Sequence, residues 1–488
     1  MSRSKPAKAA KAAPSPAAAP EASRWVYPLV SIPLLAPCFW HSRIQAGDLG
    51  SHVYNAWLAQ LVAHGQAPGL TVVPQATNIL FDLMLSACNA LFGMAAAQRI
   101  AVSLSVLVFA WGAFAFASAV AGRRAWNIFP AIAMLAYGWV FHVGFFNFYL
   151  SLGLCLGAMA LLWRGNPRRA AAAVPLLALA FLAHALPVAW ALALMAYRWA
   201  SGRVAPGRRL LPATAALGAM LLARVAMGLL METHGGLGQL ILITGADQLY
   251  VFDGKYRILC VALLALWIWL LADLLRGAGQ GMLAEAPFHF CLLSAAAIVI
   301  FPSWVAIPGY KHALAFIAER LSLPLAVCVC ALVAAPRPRA WQVAGLSAAA
   351  LIFFGMLYRD EGVLNNFEDR LETLVAEMPA GRRVINAVND PVLRAGPVVH
   401  MIDRVCVGRC FSYANYEPST AQFRVRVKGP NPIVATTYAD SLAMQTGRYV
   451  VKPRDLPLYV VDLDAQGLLA LRSLPAGARI GSTSVDLL

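Results

Sequence analysis

A succession of apolar runs constrains this sequence most, at about 25–40, 77–93, 100–121, 126–142, 145–163, 170–200, 210–231, 257–275, 287–307, 321–335 and 340–358. Several approach or exceed the roughly 18–20 residues that cross a bilayer as a helix. Of 488 residues, 60% are hydrophobic and only 13% charged. A soluble chain is nearer about half apolar and one quarter charged, and one or two buried cores do not absorb the excess. The pattern reads as a multi-pass membrane protein. It excludes a disordered, collagen-like or disulfide-scaffold class and an ordinary cytosolic enzyme.

The formal charge of +16 follows the same runs. Residues 1–24 hold five Lys/Arg, and residues 359–488 hold fifteen against fourteen acids. The other nineteen lie in 25–358, mostly between apolar runs: Arg123-Arg124, Arg164/Arg168/Arg169, Arg203/Arg208/Arg209 and Arg337/Arg339. Short basic connectors mark cytoplasmic loops. The basicity therefore reports orientation and contact with membrane lipid, with no nucleic-acid partner. The Ala/Pro/Lys-rich segment 1–24 reads as a disordered cytoplasmic tail. Basic residues before an apolar run also begin signal peptides, but no small-residue cleavage site follows Trp40-His41-Ser42-Arg43, so an uncleaved first helix is expected.

Two topologies each give about eleven transmembrane helices. If 77–93 spans and 170–200 is one helix, Arg123-Arg124 and Arg164–Arg169 fall outside. If 77–93 only dips into the outer face and 170–200 breaks near Pro187, every cluster stays inside. Both place 359–488 across the membrane from the N-terminus. In that segment Asn365–Met378 has helical spacing, an Asn start and Pro379 as a stop, and Arg383–Val388 and Leu458–Leu463 have strand character. The expected fold class is an all-α polytopic membrane protein with a small C-terminal α/β extramembrane domain.

Only eight acids interrupt 25–358: Asp48, Asp82, Glu232, Asp247, Asp253, Asp273, Glu285 and Glu319. Carboxylates are costly in hydrocarbon and mark function when found there. Asp273 and Glu285 flank a basic connector, Asp82 lies ambiguously inside an apolar run, and the other five fall in outer loops. Asp48 follows the first run, and Ser51–His64 carries Val53, Trp57, Leu58, Leu61 and Val62 on one face, as an interfacial helix does. With Asp48 in the first turn there, His52 stands beside it at i+4. A carboxylate beside an imidazole at the membrane surface suits proton removal from an acceptor hydroxyl. A capping Asp with an interfacial His fits the same spacing.

The order Gly47-Asp48, His52, Ala59, Gly65-Gln66-Ala67-Pro68, Asn78-Ile79-Leu80-Phe81 and Leu91-Phe92-Gly93 resembles the GT-C superfamily of membrane glycosyltransferases. Gly144-Phe145-Phe146-Asn147-Phe148-Tyr149 entering a helix, and a long outer C-terminal domain, fit the same resemblance. It implies transfer of a sugar from a polyprenyl-phosphate carrier to a glycan, lipid or protein acceptor, with Asp48 as the base or acceptor-positioning carboxylate. The paired Asp-x-Asp or Asp-Glu of many members is missing, which leaves a divalent cation and the sugar's identity open. Two further loops fit such a substrate. One carries Asp247 and Asp253 among aromatics and glycines, as a sugar-contacting loop or a solvated connector. The other carries Lys311, His312 and Arg320, as donors to a carrier phosphate; a Glu319–Arg320 pair, or Arg320 reaching lipid headgroups, is its plainer reading.

His142, His184 and His289 lack acidic neighbours in sequence and read as packed helix residues. No metal-binding His or Cys motif and no Walker loop appears, as expected for an enzyme using a preactivated lipid-linked donor. A lipid or solute transporter competes with this reading, although transporters tend to show repeated halves with matching broken helices. A non-catalytic assembly factor of the same architecture is the third reading. Cys406 and Cys410, four positions apart around Gly408, are expected to pair as a disulfide in an oxidising compartment. A metal pair would lack further ligands, and free thiols would imply a cytosolic domain.

Overall fold

Apolar runs fold into helices because a backbone buried away from water must pair its own N–H and C=O groups. In a computed structural model that describes residues 25–163, 165–420 and 422–488, the chain is 62% helical, with sixteen helices and a few small sheets among those residues. The tail 1–24 and Arg164 lie outside the described residues. Met94–Ala121, Trp126–Val143, Leu210–Leu230, Gly254–Gly277 and Ala340–Ala376 are long and apolar enough to cross a membrane. Val26–Cys38, Leu80–Phe92, Phe146–Leu162 and Ala286–Ile300 are apolar but shorter. Helix Leu210–Leu230 buries none of its residues and turns Leu222, Leu229 and Leu230 outward, the surface hydrocarbon covers at no cost.

Contacts gather the basic connectors at one end of the bundle. Arg123 donates to the carbonyls of Ala334 and Pro336, at 2.7 and 2.6 Å. Gln342 and Arg339 reach Asp273, Arg209 reaches Glu285, and Arg198 donates to the Trp163 carbonyl. The acid-bearing loops meet at the other end. There Arg99, near the start of Met94–Ala121, donates to the carbonyls of His41 and Ser42, while Asp82, near the start of Leu80–Phe92, bonds His52. The start of the Leu80–Phe92 helix thus sits by the first loop, and its thirteen residues extend only about 20 Å.

The run 170–200 forms two helices, Pro167–Ala183 and Ala185–Ser201. They part at His184, whose backbone is extended and whose ring accepts from the Leu186 N–H. Pro187 falls in the first turn of the second helix, where proline costs no hydrogen bond. The structure thus has the broken form of 170–200, whereas the helix expected to start at Asn365 needs correction. No helix begins at Asn365: Ala340–Ala376 is continuous for 37 residues, about 55 Å, and carries the chain from the apolar bundle into the charged region without a break. Asp360, Glu361 and Glu368 are buried in it, but each has partners: Lys255 and Tyr256, Trp40 and His142, Arg404 and Gln45.

Beyond Ala376 a four-stranded sheet forms in the order Phe411–Ser412, Arg383–Asn386, Leu458–Leu463, Leu469–Leu474; the first three are mutually parallel and the last is antiparallel. This region shares one hydrophobic core with the bundle: Val384, Val398 and Cys406 belong to the same buried cluster as Leu49, Val53 and Leu58. Strand Leu70–Val72 of the first loop pairs with Val425–Val427. The first loop is thereby clamped between the bundle and the C-terminal region.

Candidate functional site

Asp48 stands at the start of helix Leu49–Ala63, held by backbone bonds alone. The Gly47 and Asp48 N–H groups donate to the carbonyls of His142 and Val143, each at 2.7 Å. That approach depends on Gly144, whose φ of +94° is left-handed and where a Cβ would fall 2.6 Å from the Asp48 nitrogen. The Asp48 carboxylate caps nothing and accepts no hydrogen bond among the described residues. It is about one third exposed, and its nearest cation is His400 Nε2 at 3.8 Å.

The spacing argument paired His52 with Asp48, and this is corrected. The His52 backbone N–H bonds the Asp48 carbonyl, but the imidazole turns to Asp82, with Nδ1 to Oδ1 at 2.8 Å. Asn147 holds the other Asp82 oxygen at 2.9 Å through Nδ2 and accepts from the Phe81 N–H through Oδ1. Burial disfavours charge on His52, but Asp82 outweighs it and holds the imidazolium up to about 9. The two acid–histidine pairs of the site are therefore His52–Asp82 and His400–Asp403, the latter at 2.7 Å. For His400 as well, burial is overcome by its carboxylate partner, and the ring holds its proton up to about 9.

Glu417 lies between these pairs and accepts from Ser51 Oγ at 2.6 Å. Its burial pushes the carboxyl up to about 7, with His52 and Ser51 pulling the other way. On the far side of Asp48, His312 bonds Tyr438 Oη through Nδ1 at 2.8 Å and lies 5.0 Å from the Tyr416 ring. Arg320 spreads its guanidinium 3.8 Å above the Phe145 ring and approaches His184 Nε2 at 3.5 Å. Its Nε is buried with no partner among the described residues. Glu319 bonds Ser303 instead of pairing with Arg320, which excludes the plainer pairing. Asp48 acts electrostatically on His312, Arg320, His400 and Tyr416 alike, so the five groups share one site.

The other expected residues stand apart. Asp247 is buried with Arg394 at 3.4 Å and Ser322 at 3.0 Å, and burial raises it to about 6 against the pull of Arg394. It joins a loop to the C-terminal region, because Arg394 also donates to the carbonyls of Asp247 and Tyr250. Asp253 caps the Lys255 N–H and pairs with its ammonium. Neither carboxylate faces free space as a sugar contact requires, and the sugar-loop expectation is withdrawn for both. Lys311 is exposed. Cys406 and Cys410 are joined as a buried disulfide with Cα atoms 4.6 Å apart. Among the described residues no cluster of three His, Cys, Asp or Glu is arranged to hold a metal ion.

Sequence reasoning passed over His400, Asp403, Tyr416 and Glu417, all in the C-terminal region. His400 and Asp403, at i and i+3 beside a six-residue helix, were a local signal; nothing in the sequence joined them to Asp48 across some 350 positions. Comparison with protein-family models, with curated proteins and with solved structures finds no match.

Proposed function

We propose that this chain is an integral membrane glycosyltransferase of GT-C-like architecture, acting at the outer face on a polyprenyl-phosphate-linked sugar. The bundle reads as eleven passes with the N-terminus cytoplasmic, Leu80–Phe92 dipping into the outer face, and the region after Ala376 extracytoplasmic. The gathering of the basic connectors at one end, under the positive-inside rule, supports that orientation. The site at the opposite end then faces the compartment in which Cys406 and Cys410 pair.

One observation carries the chemistry. Asp48 is a partly exposed carboxylate with no side-chain hydrogen bond among the described residues, ringed by groups whose own partners are fixed. Such a carboxylate is free to accept the proton of an acceptor hydroxyl. The acceptor oxygen then bonds the anomeric carbon, and the bond from that carbon to the carrier phosphate breaks. Arg320, with an unpartnered Nε and a neighbour in His312, offers the leaving phosphate a planar cation.

Asp48→Asn tests this directly. In proteoliposomes with polyprenyl-phosphate sugars, the variant is expected to lose about 10²–10⁴-fold in rate with its thermal midpoint retained. Full activity in Asp48→Asn would overturn the assignment.

A further inference from the structure

Outside Asp48, on the far side of His52 and Glu417, a second polar cleft opens to solvent between residues 75–82 and 423–425. We infer that this cleft is a subsite for a neutral carbohydrate, taking one edge hydroxyl below its rim with the sugar ring resting outside beside Phe423. The inference rests on the glycosyltransferase reading in one respect: it makes the bound sugar the acceptor, and so makes the acceptor a glycan.

Three features of the cleft point to such a ligand. The first is charge. His52 and Arg424 face Asp82 and Glu417, so the lining is close to balanced. A phosphate would meet two carboxylates and a metal ion would meet two cations, whereas a polyol hydroxyl donates to the one kind and accepts from the other.

The second is spare hydrogen-bonding capacity. Among the described residues the Arg424 guanidinium makes one side-chain bond, to Ser86 Oγ at 3.4 Å, and no ion pair closer than 4 Å. Asn78 lines the cleft and makes no side-chain hydrogen bond among the described residues. Asn78 also holds φ at +58°, a left-handed backbone that costs a non-glycine residue energy and that recurs where side chains contact ligands. Glu417 spends one oxygen on Ser51, and its other oxygen has no bond among the described residues.

The third is size. Below its rim the cleft has room for about one water, the volume of one hydroxyl group. A hexose cannot enter whole, but a hydroxyl edge fits, and half-buried Phe423 offers an apolar face beside it. His52 and Glu417 line the cleft and also interact with the Asp48 site, His52 with Asp48 and Glu417 with His400.

Saturation-transfer NMR on the full chain in nanodiscs, with no donor present, tests the subsite independently of transfer. The probes are methyl hexopyranosides and methyl pentofuranosides, with inorganic phosphate as the anionic comparison. The wild type is expected to bind at least one neutral glycoside at about millimolar strength. Arg424→Gln and Asn78→Gly should each weaken it about tenfold or more, as loss of a hydrogen bond to a polar ligand does. Glycine adopts the left-handed backbone freely, so Asn78→Gly removes the amide without disturbing the turn, and it decides the matter if Arg424→Gln misfolds. No binding of any neutral glycoside, binding unmoved by Asn78→Gly, or a preference for phosphate would each overturn the inference. Binding that depends on Asn78 in a protein that transfers no sugar would uphold the subsite and sink only the transferase reading.

Discussion

Glu368 holds the first loop to the C-terminal region, and its removal gives a stability test with a calculable size. The side chain is fully buried and accepts from Arg404 at 2.7 and 2.5 Å and from Gln45 at 3.0 Å. Arg404 is itself buried and spends one further donor on the Ile44 carbonyl. Glu368→Ala leaves that guanidinium closed off from water with most of its donors unmet. Breaking a buried pair from one side costs about 3–5 kcal/mol. At about 1 °C per kcal/mol for a unit of this size, the thermal midpoint should fall by roughly 3–5 °C. Tryptophan fluorescence in detergent reports the event, since Trp40 and Trp57 sit at this junction. The double variant Glu368→Met/Arg404→Met should recover most of the loss, because removing both charges also removes the desolvation penalty. A midpoint for Glu368→Ala within about 1 °C of the wild type would refute the strut. A double variant as unstable as the single would show that lost packing, and not the orphaned charge, sets the cost.

The same junction should weaken in alkali. His52 and His400 hold protons up to about 9 against an ordinary 6.5, so their contribution is full below pH 6.5 and disappears as pH rises through 9. Glu417, raised to about 7 from 4.5, acts in the same direction by favouring the folded state only while protonated. A midpoint that is flat from pH 6.5 to 9 would contradict both assignments. Arg320→Lys keeps the charge but loses the planar fork above Phe145, so donor titrations should show weaker apparent affinity with expression unchanged. An unchanged affinity would return Arg320 to lipid anchoring. Gly144→Ala should cost more than about 1–3 kcal/mol and abolish transfer, because a Cβ there meets the Asp48 backbone; a stable, active variant would show that the loop gives way.

What was legible in the sequence follows what is local. Strand Leu458–Leu463 appears at its expected bounds, and the start at Arg383 is correct, because period and flanking proline are read within a few residues. The break in 170–200 was also legible, though displaced to His184, since a proline marks the first turn of a helix as readily as an interruption. The helix start at Asn365 was misread for the opposite reason. Asn365 sits inside a continuous helix, where its side chain bonds the Arg43 and Glu361 carbonyls and accepts from the Ser42 hydroxyl. A tertiary partner had taken the place of a cap.

The pairing of charges was the part that spacing could not reach. Two residues at i and i+4 on a helix are neighbours, but a buried carboxylate takes the donor that leaves no polar group stranded, wherever that donor lies in the chain. His52 takes Asp82, thirty positions on, because Asp82 sits in an apolar helix where most of its surface is closed off from water. Asp48, one residue ahead of its helix and reached by solvent, is left over. What distinguishes it is that the imidazoles around it bond elsewhere: His52 to Asp82, His400 to Asp403, and His312 to Tyr438. The free carboxylate is thus produced by pairings made elsewhere, two of them in the C-terminal region. Asp48 owes its lack of a closer partner to residues some 350 positions away, because His400 is held by Asp403 and not by the first loop.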